Sequence, residues 1–204
     1  MIGSDAVLVS RVLDGDLGAF NVLARRWQKA LYNFAYRYTG HAEEAEDVCQ
    51  DTFTRAYSQL QRLKDPDRFG SWLHAIAYRL CQDRGRRRRR RIELSTDEMA
   101  ESGIDATTLV DDTRTGGGGG AGGDPTELAE VKEIGELLRR ALQKLPEEQR
   151  VALVLREYQG YTSAEIARLL DIPVPTVRSR IFYGLKSMRR ILGRNALGQE
   201  LLGR

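Results

Sequence analysis

The chain of 204 residues holds only two cysteines, Cys49 and Cys81, and two histidines, His41 and His74. Two thiols make no disulfide framework, and no CxxC pair is present to hold a metal or run a redox cycle. Each cysteine falls inside an apolar helical pattern, which assigns both to reduced core thiols, and their spacing lends nothing to a redox-sensing pair. Long apolar runs are missing too: the longest spans a few residues, against the ~20 that a membrane-crossing helix requires. The opening stretch, MIGSDAVLVSRVLDGD, brings in acids early and has no sustained apolar core, so no secretory signal is expected. No P-loop, GxGxxG, HExxH or GxSxG occurs. Without a nucleophile–base pair or a ligand cluster, a hydrolase or transferase has no chemical foothold, and no cofactor or metal is expected. Together these absences predict a cytoplasmic, non-enzymatic chain without membrane insertion.

What is present is charge, and it is sorted. The total of 32 Lys+Arg against 29 Asp+Glu gives a net charge of only +3. From Arg84 to Arg91, however, seven of eight residues are arginine. Ile92 to Thr113 then carries seven acids and no base, and Ile172 to Arg194 carries six bases and no acid. Basic blocks of this kind attract polyanions and release their counterions, although an arginine run alone also suits a solvated tail.

Glycine marks the boundary. Thr115–Asp124 reads TGGGGGAGGD, which cannot pack a core and loses much entropy if ordered. With the acidic stretch before it, residues 92–124 show no helical or strand period and are expected to form a tether. The chain therefore divides into modules over 1–91 and 125–204, joined by a linker over 92–124.

Both modules read as helical, giving an all-α fold class. Phe20, Leu23, Trp27, Leu31, Phe34 and Tyr38 follow steps of three and four. Ala45, Val48, Cys49, Thr52, Phe53, Ala56, Tyr57 and Leu60 make a second stripe, and Phe69, Trp72, Leu73, Ile76, Ala77 and Leu80 a third. A shorter helix is predicted over Asp5–Leu13, and Asp65-Pro66 breaks the chain between the second and third stripes. Opposite the second stripe stand Asp47, Gln50, Asp51 and Thr54; Glu43, Glu44 and Glu46 nearby suit the positive end of a helix dipole. The outward positions of the third helix are His74, Tyr78, Arg79, Gln82, Asp83 and Arg86. Spacing alone leaves base contact and a solvated face both open there.

The second module is more specific. Leu128, Val131, Ile134, Leu138, Leu142 and Leu145 line one helix, stopped by Pro146, and Glu147–Tyr158 forms another. Thr162-Ser-Ala-Glu165 is a capping box opening a short helix, Asp171-Ile-Pro173 is a turn, and Pro175 suits the first turn of the next helix. A short capped helix, a tight turn and a basic helix make a helix-turn-helix. On its last helix Val177, Ile181, Leu185, Met188 and Leu192 are expected inside; Ser179, Tyr183, Lys186 and Arg190 face away, flanked by Arg178, Arg180 and Phe182. An arginine in the major groove reads guanine with two hydrogen bonds, whereas Ser and Lys more often hold phosphates. DNA binding follows from this acid-free helix.

In this order, AEEAEDVCQDTFTRAY (42–57), FGSWLHAIAYRLCQDRGRRRRR (69–90), LPEEQRVALVLREYQGYTSAEIARLL (145–170) and VPTVRSRIF (174–182) resemble the extracytoplasmic-function sigma factors of the sigma-70 family. The resemblance covers about 16–91 and 127–192. It implies a promoter-directing subunit of RNA polymerase with a region 2 helical domain and a region 4 helix-turn-helix. Asp47, Gln50, Asp51 and Thr54 would then dock on the clamp helices of the polymerase's largest subunit. Trp72, Tyr78, Arg79, Gln82, Asp83, Arg86 and Arg87 would melt and capture the minus-ten element. Arg156, Thr176, Arg178, Ser179, Phe182, Tyr183 and Lys186 would read the minus-thirty-five duplex. The resemblance further implies contact with the second-largest subunit's flap and restraint by an anti-sigma factor. Two positions depart from the family pattern: Arg79 replaces a common Asn, and Tyr183 a common Arg. The alternative is a helix-turn-helix regulator whose first module senses or dimerises.

Overall fold

Ser4 and Asp16 start the first two helices by accepting hydrogen bonds from backbone N–H groups that have no partner within the helix, Val7 N–H at 3.4 Å and Ala19 N–H at 3.2 Å. The computed structural model describes residues 3–102, 125–194, 198–199 and 203. Among them the longer regular elements are all helices: α1 (Asp5–Leu13), α2 (Leu17–Thr39), α3 (Ala42–Gln59), α4 (Phe69–Ser102), α5 (Pro125–Gln143), α6 (Glu147–Leu153), α7 (Ser163–Leu170) and α8 (Val174–Leu192). Short 3₁₀ turns at Leu60–Arg62 and Pro66–Arg68 lead into α4, the second capped by Asp65. The expected Glu147–Tyr158 helix changes character after Leu153: Val154–Tyr158 is a wider π-helical turn.

The first module packs α1–α4 around Leu23, Leu31, Phe34, Val48, Phe69 and Leu73, all fully buried. These are the apolar positions the three stripes predict. Asp5 ties α1 to α2 by accepting from the Trp27 indole N–H at 2.9 Å and pairing with Arg26. Trp27 in turn lies against α4, where Gly70 leaves room for it; a Cβ on Gly70 would sit 2.1 Å from the indole. In the second module Leu142, Leu145, Val151, Leu155, Ile166 and Val177 form the core. The capping box is present as expected, with Thr162 accepting from Glu165 N–H and the Glu165 carboxylate accepting from Thr162 N–H. Asp171 ends α7 in the left-handed conformation, φ 55°, and so makes the tight turn before α8.

The structure corrects four sequence-based placements. Helix α4 does not stop at Arg91 but continues through Ser102, so the first part of the expected 92–124 linker is helical; the rest, 103–124, lies outside the described residues. Val131, Tyr57 and Leu185 were expected inside and are exposed, because each sits at the edge of its stripe where no helix covers it. The Leu128 side chain lies outside the described residues.

Finally, the modules meet. The C-terminal carbonyls of α2 have no partner within the helix, and side chains of the second module supply them. Gln143 donates to Arg37 O at 2.9 Å, Arg150 to Tyr38 O at 2.8 Å and Arg139 to Gly40 O at 2.9 Å. Gly40 itself has φ +83°, and a Cβ there would meet Gln143 at 2.9 Å, so glycine serves both the helix stop and the approach of α5.

Replacing Gly70 by Ala drives a methyl into Trp27. It is expected to cost about 1–3 kcal/mol of stability, the usual range for overpacking, read as a lower midpoint of denaturant unfolding. An unchanged midpoint would show that the indole simply moves aside.

Candidate functional site

Three surfaces carry the residues singled out from sequence. On α3, Asp47, Gln50 and Thr54 are exposed and Asp51 is half-buried, all on the side away from the core. Arg84 reaches across from α4 and binds two carboxylates one turn apart, Asp47 at 2.8 Å and Asp51 at 2.7 Å. Partial burial works against its charge, and the hydrogen bonds to Asp47 and Asp51 outweigh that, so the guanidinium is held more firmly protonated than usual. Arg84 was read only as the start of the arginine run. Its role as a clasp between α3 and α4 needs the angle at which those helices cross, which spacing does not carry.

On α4, Arg79, Arg86 and Arg87 are exposed, while Trp72, Gln82 and Asp83 are half-buried. Gln82 donates to the Tyr78 hydroxyl at 2.8 Å, and Arg86 donates to Asp83 at 2.6 Å. Two residues expected to face outward do not. Tyr78 is 9 % exposed and His74 is fully buried, because the second module covers this part of α4. The Tyr38 ring meets Tyr78 edge-on at 5.8 Å. His74 sits among Trp27, Phe34 and Tyr161, each edge-on to it. Its Nδ1 lies 2.9 Å from Gly70 O and 3.0 Å from the Tyr161 hydroxyl, while its Nε2 is buried without a hydrogen-bond partner. Burial pushes the His74 pKa down to about 4, against the smaller opposing effects of Gly70 and Gln159.

On α8, Arg178, Ser179, Phe182, Tyr183 and Lys186 share one exposed face, and Thr176 is half-buried at its start, its carbonyl accepting from the Ser179 hydroxyl at 2.9 Å. Phe182 and Tyr183 stack edge to face at 5.3 Å between centroids. Arg180 turns the other way, 3.6 Å from Glu148 on α6. Arg156 is exposed and donates to Tyr161 O at 3.2 Å. The helix-turn-helix thus presents a basic, aromatic face with no acid on α8. Behind it an apolar groove runs along Leu142, Leu153, Tyr158, Leu185, Met188 and Leu192.

The two cysteines are buried in the first module. Burial pushes the Cys49 thiol up to about 11 and raises that of Cys81 as well, the reverse of what a reactive thiolate needs. Among the described residues no cluster of His, Cys, Asp or Glu is arranged to hold a metal, and no helix is long and apolar enough to cross a membrane.

Known proteins share this layout. The family model for Sigma-70 region 2 matches residues 23–91, and that for Sigma-70, region 4, matches residues 135–188. The ECF RNA polymerase sigma-E factor of Salmonella typhimurium is 34% identical over 183 residues, spanning 88% of this chain and 89% of that protein. This chain is a sigma factor of the extracytoplasmic-function group. The sigma-H factor of Pseudomonas aeruginosa is also 32% identical over 194 residues, with 92% and 93% of the two chains covered. Two solved structures share the fold. RpoE of Bartonella quintana, crystallised with the anti-sigma factor NepR, gives a TM-score of 0.66 at 20% identity over 85% of this chain and 96% of that one. CnrH, solved with the cytosolic domain of CnrY, gives 0.65 at 23% identity over 95% and 100%.

A sigma factor directs RNA polymerase to promoters by binding, without covalent chemistry of its own. The first module is therefore region 2, and the reading of it as the sensor of a helix-turn-helix regulator falls away.

The buried imidazole makes the fold sensitive to acid. The folded pKa of about 4 lies below the ordinary 6.5, so the folded state resists taking up a proton that the unfolded chain accepts. Stability is unaffected above pH 6.5 and falls as pH drops from there toward 4. Between pH 7.5 and 5 the His74 contribution is a loss of about 2 kcal/mol. Unfolding curves of the natural chain and His74→Gln at the two pH values should differ in pH dependence by that amount. Parallel losses in both would assign the effect to other groups.

Proposed function

We propose that this sigma factor joins core RNA polymerase through the α3 face of Asp47, Gln50, Asp51 and Thr54, which meets the clamp helices of the largest subunit. Helix α4 then receives the non-template strand of the minus-ten element. Trp72 offers a stacking surface, Gln82 and Asp83 polar groups for base edges, and Arg79, Arg86 and Arg87 charge for the backbone, while the buried Tyr78 holds Gln82 through its hydroxyl. Helix α8 enters the major groove at the minus-thirty-five element, with Arg178 reading bases and Ser179 and Lys186 holding phosphates; Thr176, Phe182 and Tyr183 complete the face, and Arg156 reaches DNA from the preceding helix. The apolar groove behind α8 suits an amphipathic helix such as the flap of the second-largest subunit presents. The setting is the cytoplasm, where an anti-sigma factor restrains the chain; the complex of RpoE with the anti-sigma factor NepR supports this.

One observation carries this reading furthest. Arg84 joins Asp47 and Asp51, and α3 and α4 share one hydrophobic core, so the face read as polymerase-docking is tied to the helix read as strand-capturing. Docking α3 on the enzyme thereby aims α4. Arg79 and Tyr183 bear on specificity. An arginine has donors only and cannot match the paired donor and acceptor of an amide, and a tyrosine lacks the fork that reads guanine. The promoter sequence is therefore expected to depart from the group's common pattern at the bases these two residues face. Transcription from a randomised promoter library by polymerase loaded with this chain tests that.

Two substitutions separate the surfaces. Arg178→Ala is expected to weaken binding to the cognate minus-thirty-five element by about 1–3 kcal/mol and to relax preference at one position; an equal loss on every sequence would make Arg178 a phosphate contact. Asp51→Arg is expected to reduce affinity for core polymerase in a competition assay, with circular dichroism checking that the helices survive the new arginine beside the half-buried Arg84. Unchanged affinity would return that face to solvent.

A further inference from the structure

Helix α8 holds two large aromatic side chains in the open: Phe182 is 63% exposed and Tyr183 is 55% exposed. Adjacent residues on a helix usually point apart. These two rings nevertheless meet edge to face at 5.3 Å between centroids and so form one apolar patch. Its direction is fixed from behind. Gly184 is buried against α6, where a Cβ would stand 2.8 Å from Leu153 Cδ1, and that close approach sets how α8 is turned about its axis. Phe182 lies at the rim of the apolar groove, whereas Tyr183 stands outside it. One turn to either side of Tyr183, the exposed neighbours are Ser179 and Lys186. Arg180, also one turn away, is directed to Glu148 at 3.6 Å. The Tyr183 ring is therefore set between a hydroxyl and an ammonium suited to phosphates.

Base edges in the major groove present hydrogen-bonding atoms and one apolar group, the C5-methyl of thymine. An aromatic ring laid against the polar atoms would leave them without partners; laid against the methyl, it buries two apolar surfaces together. We propose that Tyr183, braced by Phe182, reads the C5-methyl group of a thymine in the minus-thirty-five duplex. A T·A pair is thus required at the position where a forked side chain would ask for guanine. The ring does the reading, since it continues the apolar patch that Phe182 begins. This rests on the reading of α8 as the helix that enters the major groove.

For the test, polymerase loaded with the full chain first selects duplexes from a pool randomised across the minus-thirty-five element. In the best-bound duplex each thymine is then replaced singly by deoxyuridine, which lacks only the methyl. One position should lose roughly fourfold in affinity, the effect of exposing one buried methyl. Tyr183→Ala should bind the thymine and deoxyuridine duplexes alike, and Tyr183→Phe should keep the difference, with circular dichroism confirming the helix content of both. A selected duplex without thymine, equal binding of thymine and deoxyuridine throughout, or a difference that survives Tyr183→Ala would overturn the proposal. Loss of the difference in Tyr183→Phe would overturn it too, by giving the role to the hydroxyl. Arg178→Ala and Lys186→Ala guard the underlying reading. If neither weakens duplex binding, the role given to α8 fails. If both do while the methyl has no effect, the ring rests on the sugar–phosphate backbone and only the methyl contact fails.

Discussion

The carbonyl oxygens at the end of α2 set the terms for much of this fold. A helix leaves its last carbonyls without partners, and here the end is half-buried, where an unpaired polar group costs most. Gly40 turns the chain sharply and its N–H satisfies Tyr36 O at 2.9 Å, but Arg37, Tyr38 and Gly40 need donors from elsewhere. Gln143, Arg150 and Arg139 supply them from α5 and α6. Two of the three donors are cations at the negative end of the α2 dipole, which adds to the attraction. Burial opposes the charge on Arg150 and pulls its pKa below the ordinary value, so the guanidinium is retained by its partners rather than by water. Other contacts between the modules lie along α2 and α4, among them Gln159 with Ala30 O and Tyr161 with His74.

On either side of that joint, α4 exposes Arg79, Arg86 and Arg87, and α8 exposes Arg178, Ser179, Phe182, Tyr183 and Lys186. The π-helical turn at Val154–Tyr158 carries Tyr158 against Arg37 and leads to Tyr161 beside His74. A regular α-helix through the same residues would rotate those side chains around the axis. Local irregularity here serves contacts between modules, whereas the helix-turn-helix beyond it is built of regular parts.

Much of this was legible in the residues themselves. Three apolar stripes placed α2, α3 and α4, the Thr162–Glu165 box placed the start of α7, and the absence of acids marked α8. What escaped was everything set by packing between segments distant in sequence. Helical spacing puts His74 and Tyr78 on the outer side of the first module, which is correct for that module alone. It carries no trace of the α6 start and the Tyr161 segment that cover them. Glu147 reads as an ordinary first-turn acid, and its tie to Tyr38, 109 residues away, leaves no local signature. The continuation of α4 past Arg91 was missed for a different reason: Arg, Glu, Leu and Met favour helix strongly, and a helix propagated from a buried start needs no apolar stripe of its own.

Arg139, Gln143 and Arg150 lie 99, 106 and 112 residues beyond the carbonyls they satisfy. During synthesis the first module therefore emerges with these three carbonyls open to water, and the end of α2 is completed only once α5 and α6 have been made.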